Sequence, residues 1–154
     1  MTREEFIQHI GTQQEPLRRF LLVLCRGDRF TADDIAQDAM LKAWIGMGSY
    51  RGDAKFSTWL FKIAYNCWCN KHYQTSQIAE AETEICTDDP FRYQELYQAI
   101  SELNDKERAA ILMFYMEDKN IKDIAAIMNI PTGTVKSLLS RGRNKLKIKL
   151  DDER

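Results

Sequence analysis

Asn120-Ile121-Lys122-Asp123-Ile124-Ala125-Ala126-Ile127-Met128, then Asn129-Ile130-Pro131-Thr132-Gly133, then Thr134-Val135-Lys136-Ser137-Leu138-Leu139-Ser140-Arg141-Gly142-Arg143 decides the fold of the C-terminal third. The first stretch has a helical period, with Ile121, Ile124, Ala125 and Met128 on its inward face. Ala125 is small where two helix backbones must approach closely. The middle stretch is a tight turn in which Gly133 relieves the backbone constraint. Thr134 is placed as the cap of a second helix, with Val135, Leu138, Leu139 and Leu146 as its buried row. That register exposes Lys136, Ser137, Ser140, Arg141 and Arg143. A helix-turn-helix of this kind puts the start of its second helix against base edges, while longer cations reach phosphates.

Charge supports the same reading once it is resolved along the chain. The 154 residues carry a net charge of −1, which taken globally argues against nucleic acid. From Thr132 to Leu150, however, the charged residues are all basic: Lys136, Arg141, Arg143, Lys145, Lys147 and Lys149. From Ile78 to Glu107 acids dominate, with only Arg92 and Lys106 against them. The local field decides what a surface attracts. One end attracts phosphate and the middle repels it.

Working outward, nearly every other periodic stretch is also helical, and strand alternation is absent. Thr2 and Glu5 form a capping box opening a short helix to Ile10. Pro16 starts a second helix with Leu17, Phe20, Leu21 and Leu24 on one stripe. Thr31 and Asp34 bracket the next start, and a glycine-containing loop from Gly46 to Asp53 precedes a long aromatic helix from Phe56 to about Tyr73. Gln74 to Pro90 is polar and acidic and reads as a flexible linker; helical pattern resumes at Phe91 in four segments. The fold class is therefore all-α, with two small helical domains, 1–74 and 91–154, joined by an acidic linker over 75–90.

Other classes find little support. No apolar run approaches the ~18 residues of a membrane span, and Met1 to Gly11 lacks a signal-peptide pattern, so the expected location is cytoplasmic. Cys25, Cys67, Cys69 and Cys86 form no C-x-x-C pair, which predicts ordinary reduced thiols, no metal and no cofactor. No nucleophile–base constellation or phosphate loop points to an enzyme.

The stretches 124–128 and 131–137 closely resemble the C-terminal DNA-binding domain of bacterial RNA polymerase sigma factors. Asp33 to Trp44 is similar to the polymerase-binding helix of that family, and Tyr50 to Asn66 to its promoter-melting loop and helix. Both motifs in this order, on a short chain, resemble the extracytoplasmic-function (ECF) class. The resemblance implies a protein that binds core RNA polymerase, carries it to promoter DNA and opens the duplex. It implies polymerase contacts at Asp34, Gln37, Asp38 and Lys42. It implies upstream (minus thirty-five) contacts at Thr134, Lys136, Ser137, Ser140, Arg141 and Arg143. For the downstream (minus ten) element it implies Tyr50, Arg51, Lys62, Asn66 and Asn70, with a flipped base stacked on an aromatic and held by amides. It also implies an anti-sigma factor as partner, and the chain offers no spare apolar helix for a dimer seam, so a monomer is expected.

The chain departs from the family pattern at several positions. Leu138 stands at a frequent arginine, which is expected to remove one DNA contact, and Phe114 stands at another. Gly142 replaces a common alanine, at a helix-propensity cost of ~1 kcal/mol. Taken alone, the helix-turn-helix fits equally a regulator that acts without polymerase, but the N-terminal half would then go unexplained.

Overall fold

The computed structural model describes residues 1–75 and 94–152. The linker 75–90 therefore falls, beyond its first residue, outside the described residues. Among the described residues every regular element is helical.

Helix α1 runs unbroken from Arg3 to Leu24. The expected capping box is present: Thr2 Oγ1 accepts from Glu5 N at 3.2 Å and Thr2 N donates to Glu5 Oε2 at 3.0 Å. The two helices expected on either side of Gly11 are one, with Pro16 in its interior. An interior proline removes a helix hydrogen bond and costs ~3 kcal/mol. Burial along the whole length outweighs that cost, since Phe6 packs edge-on to Trp44 and Phe56 while Leu17, Phe20, Leu21 and Leu24 are sealed in the core. The helix ends through left-handed Arg26 and Gly27 (φ 58° and 87°), with Gly27 N donating to Leu22 O at 2.8 Å.

Asp28, not Thr31, caps the next helix, α2 (Arg29–Ile45): its carboxylate accepts from Thr31 N at 3.2 Å and from Thr31 Oγ1 at 2.6 Å. The start moves three residues upstream because a carboxylate accepts both donors at once. Ala32, Ala36, Ala39 and Ala43 form the buried side of α2, small enough to let it nest between α1 and α3 (Phe56–Thr75). Those three helices make the N-terminal half.

The C-terminal half comprises α4 (Gln94–Ser101), α5 (Asp105–Ile111), α6 (Ile121–Met128) and α7 (Thr132–Asp152). Asn104 caps α5 and Asn120 caps α6, each amide oxygen accepting from the backbone three residues on. Between α5 and α6 the chain continues as a π-helical turn, Leu112–Met116. Helix α7 lies along α5 at Gly142, where a Cβ would come within 2.8 Å of Ile111 Cγ1.

The two halves are packed against each other, so one buried cluster runs from Phe6 to Leu139. Arg108 on α5 is 1% exposed; its Nε donates to Leu24 O of α1 at 3.0 Å, and its other nitrogens reach Leu103 O and Asp105 Oδ1, both at 2.8 Å. Arg19 meets Glu117 in a two-pronged fork at 3.1 and 3.0 Å. Lys119 Nζ stands 4.1 Å from the centre of the Phe61 ring on α3.

Gly142 decides between two opposing effects. Helix propensity alone makes Gly142→Ala stabilising by ~1 kcal/mol. Overpacking of the buried Ile111 costs about 1–3 kcal/mol. We expect the variant to be destabilised by up to about 2 kcal/mol in urea unfolding, and a second change, Ile111→Val, to recover part of the loss.

Candidate nucleic-acid interface

The turn of the helix-turn-helix is made by Asn129, whose left-handed backbone (φ 55°, ψ 49°) ends α6. Asparagine tolerates that conformation better than most side chains. Ile130 N then donates to Ala125 O at 3.1 Å, closing the helix end. Gly133, expected to relieve the turn, lies inside α7, where an added Cβ would meet open space. Thr134, expected as the cap, sits in the first turn of α7: Pro131 O accepts from Thr134 N and Val135 N at 3.1 and 3.2 Å. The helix begins two residues earlier because proline supplies a backbone already fixed near helical φ.

From that start, Val135, Leu138 and Leu139 are buried and Thr134, Lys136, Ser137, Ser140, Arg141 and Arg143 are exposed. Lys136, Ser140, Arg143 and Lys147 follow one another at spacings of four, three and four, which is one stripe of a helix. A shallow depression is lined by Lys136, Ser137, Ser140 and Arg141. Ser137 Oγ donates back to Gly133 O at 3.1 Å, and Arg143 donates to the exposed Tyr115 hydroxyl at 3.1 Å. Leu138 is only 4% exposed. It belongs to the core, so its presence removes no cation from the outer face, and the expectation of a lost DNA contact there is corrected.

Not every cation of α7 is left without an acid. Lys145 pairs with the buried Glu107 at 2.6 Å and Lys149 with Glu102 at 2.6 Å. Those two lysines hold α7 onto α4 and α5, while no described acid pairs with Lys136, Arg141 or Lys147. The basic run therefore divides into a set paired with acids of the same half and a set that no described acid neutralises.

In the N-terminal half, Lys62, Asn66 and Asn70 are exposed at four-residue spacing along α3, a single ridge. Arg51 is exposed in the preceding loop. Tyr50 is half-buried: its hydroxyl donates to Ala54 O at 2.6 Å and its ring rests on Phe56 and Trp59 at 5.9 and 5.2 Å. The ring therefore braces the loop against the start of α3. Burial pushes the Cys25 thiol up to about 12, and it raises those of Cys67 and Cys69 as well, which favours the thiol over the thiolate.

On α2, Asp34, Gln37, Asp38 and Lys42 are exposed together. Lys42 bridges Asp38 at 3.2 Å, and Lys71 of α3 pairs with Asp34. Phe30, Leu41 and Ile45 share this face, at 83%, 57% and 74% exposure. Sequence reading missed them, although the succession Phe30, Asp34, Gln37, Leu41, Ile45 is itself a four-three-four-four helical stripe.

Comparison with known proteins shows the family of the chain. The family model described as "Sigma-70 region 2" matches residues 12–76, and that described as "Sigma-70, region 4" matches residues 93–146. The ECF RNA polymerase sigma factor SigW of Bacillus subtilis is 33% identical, over 82% of this chain and 79% of its own length. This chain belongs to the ECF sigma factors. As a sigma factor it binds core RNA polymerase and directs promoter-specific transcription initiation; such proteins are initiation factors rather than enzymes. The ECF sigma-E factor of Escherichia coli is similar at 31% identity, over 73% of this chain and 70% of its own length. Among solved structures, the sigma factor RpoE of Bartonella quintana, in complex with the anti-sigma factor NepR, superposes with a TM-score of 0.83 at 26% identity. That match covers 98% of this chain and 99% of the other. CnrH, in complex with the cytosolic domain of CnrY, shares the fold at a TM-score of 0.75 and 18% identity, covering 99% and 92%. Among the described residues no helix of the sigma factor is long and apolar enough to cross a membrane.

Burial makes Leu138→Arg a sharp test of the corrected face. We expect the arginine to destabilise the fold by about 2–4 kcal/mol without tightening binding to an upstream-element duplex. Lys136→Ala, by contrast, should leave the melting temperature unchanged, weaken duplex binding and flatten its dependence on log salt by about one unit.

Proposed function

We propose a division of labour within this sigma factor. Residues 1–74 dock on core polymerase and open the downstream element, and residues 91–154 anchor the complex on the upstream element. The carrying observation is the outer stripe of α7, where Lys136, Ser140, Arg141 and Arg143 stand clear of the core with Thr134 and Ser137 beside them. On α3, Lys62, Asn66 and Asn70 suit a separated strand: one cation for the backbone and two amides for base edges. Arg51 adds a second cation, and Tyr50 fixes the loop that carries it, its half-buried ring being the aromatic available for stacking a base.

The polymerase contact is assigned to the α2 face. Asp34, Gln37, Asp38 and Lys42 give it polarity, and Phe30, Leu41 and Ile45 give it the apolar anchors from which interfaces draw most of their energy. The sigma factor RpoE of Bartonella quintana, which shares this shape, is bound by the anti-sigma factor NepR, and an anti-sigma partner for this chain follows by analogy, making its activity signal-responsive. A regulator acting without polymerase would have no use for the α2 face.

Gel filtration with core polymerase, followed by run-off transcription and mapping of start sites, tests the assignment. Leu41→Glu and Ile45→Glu sit on exposed positions and should keep wild-type melting temperatures. Each is expected to weaken co-elution with core about tenfold or more, whereas Lys136→Ala should leave co-elution intact and reduce promoter-specific run-off. Wild-type co-elution by both α2 variants would overturn the docking face.

A further inference from the structure

Tyr115 is an aromatic residue that core packing does not account for. It sits in the π-helical turn after α5, 48% exposed, between the partly buried Phe114 and Met116. Its ring stands edge-on to that of Phe114 at 4.9 Å. Its hydroxyl reaches α7, where it accepts from Arg143 Nη1 at 3.1 Å. A ring with a polar tip suits a place where one end is packed and the other meets water or a ligand. Phe114, packed on the core, offers no polar atom, so Tyr115 is the side chain that brings one to the edge of the α7 stripe.

The bond between them leaves both partners with donors to offer. A tyrosine hydroxyl accepts through its oxygen and donates its single hydrogen. Here the oxygen is taken by Arg143, and among the described residues no acceptor takes the hydrogen. Arg143 is held through one nitrogen, by a hydroxyl and not by a carboxylate, so its charge is oriented without being neutralised. Lys145 and Lys149 differ in this respect, since each meets an acid. A guanidinium edge beside a hydroxyl hydrogen matches the two outer oxygens of one phosphodiester. Position along α7 favours the same ligand. Lys136 and Arg143 stand seven residues apart, ~10 Å of helix. The start of such a helix meets base edges, and residues farther along it reach the backbone of the strand.

We propose that Tyr115 is a further DNA-backbone contact of this sigma factor, its hydroxyl donating to a phosphate oxygen while it holds Arg143 on the same phosphate. The proposal rests on the reading of α7 as the surface for the upstream element. Tyr115 and Arg143 then act as one clamp. It adds affinity and fixes register on the duplex, and it carries no base preference of its own.

Holoenzyme reconstituted from the full chain and core polymerase, titrated against the promoter duplex mapped by run-off, tests the clamp. Tyr115→Phe removes only the hydroxyl and keeps the ring against Phe114, so the melting temperature should match wild type. We expect it to bind about fivefold more weakly, with the same dependence on log salt because no cation is lost. Arg143→Ala should weaken binding about tenfold and flatten that dependence by about one unit. Adding Tyr115→Phe to Arg143→Ala should weaken binding by less than about a further twofold, because the two groups act as a unit. A series of duplexes, each carrying one methylphosphonate linkage, then locates the phosphate, since that linkage lacks the charge and one outer oxygen. At one linkage in or beside the upstream element, wild type and Tyr115→Phe should bind equally, and elsewhere the gap between them should persist. A general loss of stability would weaken binding to every duplex alike and could not close the gap at a single linkage. Wild-type affinity for Tyr115→Phe, or a gap that persists across the whole series, would overturn the contact. Failure of the wild-type holoenzyme to bind the duplex would instead overturn the proposed function, and the contact with it.

Discussion

A buried guanidinium organises this molecule. Arg108 spends its donors on the last carbonyl of α1, the carbonyl of Leu103 and the Asp105 carboxylate, and its plane lies within 6.0 Å of the Trp68 ring centre. Burying a charge is expensive unless every donor finds an acceptor, and a planar fork suits three acceptors set around one plane. Desolvation lowers its affinity for the proton, and Asp105 works against that. Because one acceptor belongs to the other half of the chain, full satisfaction of Arg108 requires the halves to touch. The helix-turn-helix core and the N-terminal bundle are therefore not energetically separate in the packed form.

Much of the secondary structure was legible because apolar side chains recur at the helical period in α2, α3, α6 and α7, and because capping chemistry is local. The capping box at Thr2 and Glu5 was readable for that reason. The errors arose where local signals conflict. Pro16 reads as a helix start, yet Phe6 and Leu17 are buried along one continuous α1. Thr134 reads as a cap, yet the helix already begins at Thr132, directly after Pro131. Gly133 drew attention away from Asn129, which carries the left-handed turn. Leu138 was read both as core and as a missing cation, and only burial separates the two.

Other features had no local signature. Arg108 and its acceptor on Leu24 are 84 residues apart, and Arg19 and Glu117 are 98 apart. No periodicity announces such a pair. Nor did the run of cations reveal that Lys145 and Lys149 are paired with acids, because those acids lie on α5 and just after α4. The outer face of α7 is thus smaller than its charge suggests, with Lys136, Arg141, Arg143 and Lys147 as its cations. The apolar members of the α2 stripe were visible in principle, but an exposed leucine or phenylalanine cannot be told from a core residue until the partner helices are placed.

The π-helical turn at Leu112–Met116 carries a consequence for how such a chain varies. A π turn amounts to one residue inserted into an α-helix, and each added residue advances the phase of the downstream side chains by about 100°. Here that single step of phase aims Tyr115 at Arg143 on one side and Glu117 with Lys119 at the N-terminal half on the other. Gain or loss of one codon in this turn would therefore re-aim the support of Arg143 and the contacts between the halves together. Length variation in five residues links traits that point substitutions would alter one at a time.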